Sequence, residues 1–158
     1  MPLDLSIPDR TALVCRAALR HCARLGWAPL AEVPIPCGRR LDILALTPEG
    51  QLNAIEVKSG PRDFLSDNKW PEYLDWCDRL FFAVDCDFPH ETLIPEDVGL
   101  WCTDGYETAV LRDAPHRPLA GARRKSLLHR FAVIAAGRLA AVCDPVGANE
   151  MRAALRCE

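Results

Sequence analysis

The sequence has no Cys-x-x-Cys pair, although it holds eight cysteines, at positions 15, 22, 37, 77, 86, 102, 143 and 157. None stands at zinc-finger spacing to His21, His90, His116 or His129, which excludes the usual zinc sites. Thiols this widely spread also speak against an iron–sulfur cluster. Met1-Pro2-Leu3-Asp4 lacks a basic-then-apolar signal segment, and 158 residues is too long to need disulfide staples. The cysteines are therefore expected to be reduced, mostly buried small hydrophobes in a cytoplasmic protein. No apolar run approaches the ~20 residues of a membrane span, so no membrane partner is expected. Repeats, low-complexity tracts and long linkers are missing too, and the length suits a single domain over 1–158.

A basic surplus is the remaining absence. The net charge of -3 excludes a uniformly basic nucleic-acid coat, but the charge is unevenly placed. Residues 62–107 hold twelve acids against Arg62, Lys69 and Arg79, a net of -9. Residues 112–130 hold six bases against Asp113 alone, a net of +5. That asymmetry suits either one polyanion-binding face or a solvated basic helix start.

Apolar residues at 49% and charged residues at 26% describe an ordinary globular chain. Ser6-Ile7-Pro8-Asp9 reads as a helix start, with Val14, Ala18, Cys22 and Leu25 on one stripe and Gly26 as the stop. Arg16, Arg20 and Arg24 share a second stripe, facing phosphate or solvent. Three strands follow, at about 27–34, Leu41–Thr47 and Leu52–Lys58, separated by turn chemistry that favours an antiparallel meander. A helical stretch from Pro61 to about Asp78 carries a break near Pro71, where proline suits a new first turn. Arg79–Asp85 reads as a buried parallel strand, Val98–Cys102 and Glu107–Leu111 as a hairpin about Asp104-Gly105, and 122–139 as an amphipathic helix. The expected fold class is α/β (α+β): a central mixed β-sheet flanked by helices.

Chemistry concentrates on two of those strands. Alternation puts Glu56 and Lys58 on one face of the third strand, with Ile55 and Val57 on the other. Taken alone, Glu-x-Lys is a surface salt pair. Asp42 shifts that balance, because its same-side neighbours Leu44 and Leu46 are apolar and a carboxylate there needs compensation. If the turn at 48–51 folds the strands together, Asp42 and Glu56 become neighbours beside an ammonium. Two carboxylates in that setting make a hard oxygen site suited to Mg²⁺ or Mn²⁺.

A helix, an Asp on the second strand, Glu-x-Lys on the third, then helix and strand together resemble the PD-(D/E)XK nuclease superfamily. The run from Gly38-Arg39-Arg40-Leu41-Asp42 through Glu56-Val57-Lys58-Ser59, Asp63-Phe64, Asp67, Lys69-Trp70-Pro71-Glu72-Tyr73 and Cys77-Asp78-Arg79 is similar to the MmcB-related bacterial DNA repair family within it. The likeness spans about 25–85, and the proline often found before the Asp is replaced by Leu41. The resemblance implies a restriction-endonuclease-like core and metal-dependent phosphodiester hydrolysis in DNA. It implies Asp42, Glu56 and the Val57 carbonyl as metal ligands, and Lys58 as the group that orients or deprotonates water and steadies phosphorane charge. Glu32 is a candidate third carboxylate beside the site. Lys69 and Tyr73 match the spacing of a Gln-x-x-x-Tyr element in some relatives, while Asp63 and Asp67 read as exposed or N-terminal helix charges. Trp70 and Trp76 suit either base stacking or packing.

Two functions follow. One is a Mg²⁺- or Mn²⁺-dependent deoxyribonuclease in DNA repair, with Arg39, Arg40, Arg123, Arg124 and Lys125 on phosphates. The other is a catalytically silent DNA-binding or scaffold module working with other repair proteins.

Overall fold

The computed structural model describes residues 6–155. Cys157 and the Met1–Asp4 stretch lie outside the described residues. The chain forms two compact units, one ending at Ala120 and one beginning at Gly121.

In the first unit, helix α1 spans Ile7–Arg24, and the Ser6 hydroxyl accepts from the Asp9 N–H as its cap. Strands β1 (Ala28–Pro34), β2 (Arg40–Leu46) and β3 (Leu52–Lys58) form the antiparallel meander. The crossover from β3 carries α2 (Pro61–Ser66) and a 3₁₀ helix (Trp70–Trp76) with Pro71 in its first turn. It leads to β4 (Arg79–Asp85), which pairs in parallel with β3 and with β5 (Gly99–Thr103). A short helix α3 (His90–Leu93), without a sequence signal, precedes β5, and β6 (Thr108–Arg112) closes the hairpin. The result is a mixed six-stranded sheet in sequential order, with α1 on one face and α2 and the 3₁₀ helix on the other.

Small residues on α1 allow the close approach. Val14, Ala18 and Cys22 meet Ile43, Ile55, Val57, Phe81, Ala83 and Trp101 across the buried face. Leu25, expected on that stripe, is instead half exposed at the helix cap, where the chain turns away. The arginine stripe is exposed, and two of its members also engage the β5–β6 hairpin. Arg24 forms a two-pronged ion pair with Glu107, and Arg20 lies 4.9 Å above the Tyr106 ring, both on the β5–β6 hairpin.

Asp78 locks the start of β3. It is 0% exposed, and its two oxygens accept from the N–H groups of Leu52 at 2.7 Å and Leu119 at 2.9 Å. Its own N–H donates to the Leu52 carbonyl, and its carbonyl accepts from Arg117.

In the second unit, α4 runs Gly121–Cys143, longer than the expected 122–139, and packs against α5 (Gly147–Leu155). The Asp144 carboxylate accepts from the Gly147 N–H at 3.1 Å at the start of α5. Val133, Leu139 and Val142 lie exposed along α4, so the expected amphipathic division is weak. An 18-residue stretch of α4 has a mean hydropathy of 1.4, long and apolar enough to cross a membrane by length and composition. The sequence reading found no such run because Arg130 and Arg138 interrupt it, whereas an average over the helix absorbs two charges.

Asp78→Ala would leave two buried N–H groups unmet. We expect a loss of about 3 kcal/mol in urea unfolding. A loss below about 1 kcal/mol would show that Asp78 is not the lock described.

Candidate active site

The β2–β3 ladder runs from Leu46↔Leu52 to Ile43↔Ile55 and goes no further, although both strands continue. Beyond that point side chains replace the missing rungs. The Asp42 N–H donates to Glu56 Oε1 at 3.1 Å, and the Val57 N–H donates to Asp42 Oδ2 at 2.9 Å. Alternation explains the placement: Ile43, Ile55 and Val57 are committed to the α1 face, which turns Asp42 and Glu56 to the other. Burial pushes the Glu56 carboxyl up to about 9, and the charge of Asp42 adds to it. Burial also raises Asp42, against the Val57 N–H and the Lys58 charge.

Lys58 ends β3 on the same face, its side chain 7% exposed. Its Nζ donates to Asp67 Oδ2 at 2.6 Å and stands 4.0 Å from Asp63 Oδ1. Asp67 closes α2 and also accepts from the Lys69 and Trp70 N–H groups at the start of the 3₁₀ helix, so it serves as a helix N-terminal charge while its side chain is only 13% exposed. Burial pushes its carboxyl up, but the bonds from Lys58, Lys69 N–H and Trp70 N–H outweigh that and hold it below the usual range. Asp63 sits in the first turn of α2, half exposed as expected. The sequence reading gave Asp67 no role at the site. The usable signal is an Asp three residues ahead of the first residue of a helix with proline in its first turn, a position suited to hydrogen-bonding free N–H groups.

These groups line a polar cleft of about 870 Å³. Lys69 and Tyr73 both reach it from the 3₁₀ helix, and Tyr73 is buried. Burial, then the charges of Glu56, Asp67 and Asp42, push the Tyr73 hydroxyl up to about 12. Ile7 and Thr11, from the first turns of α1, line the same cleft and were not anticipated.

The remaining candidates divide. Glu32 falls opposite Asp42 in the β1–β2 register, but its side chain is 65% exposed and meets Arg40 at 3.5 Å. Its φ of 52° is left-handed, a kink in the strand beside the site. Arg39 is held by Glu72 through two bonds of 3.0 and 3.1 Å, and both Arg39 and Arg40 line the cleft. Trp70 packs edge-on against Phe82 at 5.5 Å. Trp76 is half-buried near the end of the 3₁₀ helix. Arg123, Arg124 and Lys125 belong to the second unit, in the first turns of α4.

A divalent cation fits the donors present. Among the described residues no three His, Cys, Asp or Glu side chains converge as a cage. Two carboxylates do meet in a buried corner, where Lys58 and two backbone N–H groups offset their charge in part and burial still favours a proton or a cation. One or two carboxylates with water and substrate oxygens is the habit of Mg²⁺.

The profile of a family described as DNA repair protein MmcB-like matches residues 2–146. The solved structure of SPO1766, a protein of unknown function from Silicibacter pomeroyi, is 45% identical with a TM-score of 0.80, covering 92% of this chain and 97% of that one. No curated protein matches.

The raised Glu56 carboxyl gives a measurable sign. Unfolded, the group titrates near 4.5 and folded near 9, so the proton it keeps stabilises the metal-free fold fully below the lower value. That stability drains as pH rises between them. In EDTA, wild type should therefore lose stability relative to Glu56→Gln by up to about 1.4 kcal/mol per pH unit across that window. Parallel curves for the two proteins would mean that Glu56 ionises without cost.

Proposed function

The chain belongs to the MmcB-like DNA repair protein family, and from that premise we propose that it is a Mg²⁺- or Mn²⁺-dependent deoxyribonuclease of PD-(D/E)XK type. The observation carrying this reading is the pair of bonds across the opened end of β2 and β3, Asp42 N–H to the Glu56 carboxylate and Val57 N–H to the Asp42 carboxylate, which bring both acids into the cleft that Lys58 lines. In it, Asp42, Glu56 and the Val57 carbonyl hold the cation. When bound, that cation supplies Lewis acidity toward a phosphate oxygen and a lowered pKa for water.

The chain's own residues do the rest. Asp67 fixes the Lys58 ammonium near the carboxylate pair, where it orients water and offsets charge building on the phosphorane. Lys69 and Arg40, both exposed at the cleft, meet the DNA backbone, and Arg39 joins them by exchanging Glu72 for phosphate. Arg123, Arg124 and Lys125 supply further phosphate contacts from the second unit. Tyr73, kept protonated by its neighbours, is a hydrogen-bond donor inside the cleft. The reaction belongs in the cytoplasm, with DNA as substrate and other repair proteins as partners.

The alternative is a silent nuclease-fold module that binds DNA or scaffolds a repair complex. The Lys58–Asp67 pair favours it, since the ammonium is already neutralised by a carboxylate rather than left for substrate. Titration calorimetry with Mn²⁺ separates the two: saturable binding that Asp42→Ala abolishes belongs to the enzyme reading.

Cleavage of single-stranded, duplex and branched DNA should require Mg²⁺ or Mn²⁺ and stop in EDTA. Asp42→Ala and Glu56→Ala should each lower the rate by at least about 100-fold, with Asp67→Asn costing about 10-fold through Lys58. Cutting that survives EDTA or either alanine variant overturns the mechanism.

A further inference from the structure

Away from the cleft, two thiols stand together at the rim of the sheet. Cys102 lies in β5, where it pairs with Val84 of β4. Cys86 is the first residue past the paired end of β4, in a turn. The Cys102 thiol donates to Cys86 Sγ at 3.6 Å, and the Cys86 thiol donates to the Thr103 carbonyl at 3.3 Å. Both line a depression of about 270 Å³ floored by the β5–β6 hairpin, with Cys86 exposed and Cys102 half-buried.

We propose that Cys86 and Cys102 form a dithiol site that a small-molecule disulfide, of the oxidised-glutathione class, converts to an intramolecular disulfide. Closing from 3.6 Å to the ~2.05 Å of a disulfide asks for about 1.5 Å of movement. The turn after β4 provides it, because Cys86 is not held in a strand ladder. Cys86 is the entry thiol on exposure alone. Its thiolate attacks one sulfur of the small disulfide, whose S–S bond breaks, and the first glutathione leaves as a thiolate that takes up a proton. Cys102 then gives its proton to solvent and attacks the Cys86 sulfur. The Cys86–Cys102 bond forms, the mixed disulfide breaks, and the second glutathione leaves and is protonated. Two electrons pass from the protein thiols to the small disulfide, and two glutathione thiols are released.

Burial, followed by the Cys86 neighbour, pushes the Cys102 thiol up to about 11, which leaves the exposed Cys86 as the thiol that reacts first and Cys102 dependent on its closeness to the Cys86 sulfur. The new bond would close the segment from 86 to 102. That segment carries Phe88, which packs edge-on against Phe64 of α2, the helix that ends at Asp67. The switch therefore bears on the element that holds Lys58, while leaving the cleft residues themselves unmodified.

The test incubates the full chain with oxidised glutathione under native conditions, alkylates free thiols and maps the peptides. Wild type should yield a peptide linked through Cys86 and Cys102, with no glutathione left on Cys86. Cys102→Ser should trap glutathione on Cys86, at about tenfold or more above wild type, because the resolving thiol is gone. Cys86→Ser should give neither product at this site. A wild-type map without the link, a link joining a different pair, or equal adduct on Cys86 in wild type and Cys102→Ser overturns the proposal. The wild-type map decides the matter by itself if the serine variants do not fold.

Discussion

The bonding of the Asp42 and Val57 N–H groups to the Glu56 and Asp42 carboxylates is the constraint around which the first unit is arranged. Two antiparallel strands normally satisfy their N–H groups with each other, yet β2 and β3 stop pairing at Ile43 and Ile55 while still extended. The N–H groups of Asp42 and Val57 find carboxylates instead. Those bonds answer the backbone's demand and hold the strands at a fixed opening. The cleft is the space so created. Its polarity is a consequence, since side chains that replace ladder rungs must themselves be acceptors.

Buried acids lie at both ends of β3, and the contrast between them separates scaffold from chemistry. At the Leu52 end, Asp78 gives one oxygen to Leu52 and the other to Leu119, with His116 Nε2 3.8 Å away, so both oxygens are tied to backbone donors. At the Lys58 end, Asp42 and Glu56 take one backbone donor on one oxygen each and otherwise face one another. A carboxylate fully met by N–H groups has nothing to offer a ligand. Two that face each other in a buried corner hold a proton between them or exchange it for a cation. Buried carboxylates thus serve two purposes at the two ends of β3, and what each oxygen accepts tells them apart.

What could be read beforehand follows from how local each signal is. The bounds of β3 and β4 were legible to the residue, because alternation, apolar runs and turn residues lie within the segments themselves. Asp42 stood out for a local reason too, a charge among apolar same-face neighbours. Asp67 did not, since its meaning depends on Lys58 nine residues earlier and on the chain turning back after α2. The partners of the α1 arginines are hidden for the same reason: Glu107 and Tyr106, which engage Arg24 and Arg20, are some eighty residues away in sequence. Short helix α3 has no cap or periodic stripe to announce it.

The charge pattern gains a different meaning once partners are known. Much of the acidity in 62–107 is spent internally: Asp67 on Lys58, Glu72 on Arg39, Asp97 on Arg117 and Glu107 on Arg24. Acids paired this way repel a polyanion far less than their count suggests. The basic excess shrinks likewise, since Arg112 bonds the carbonyls of Val98 and Pro95 and Arg117 bonds that of Asp97. Arg40 and Lys69 stay exposed along the cleft lining, so the bases beside the carboxylate pair are not all spent on internal acids. A net charge of -3 is therefore a poor guide to the local field at the cleft, which is set by which acids and bases are already paired.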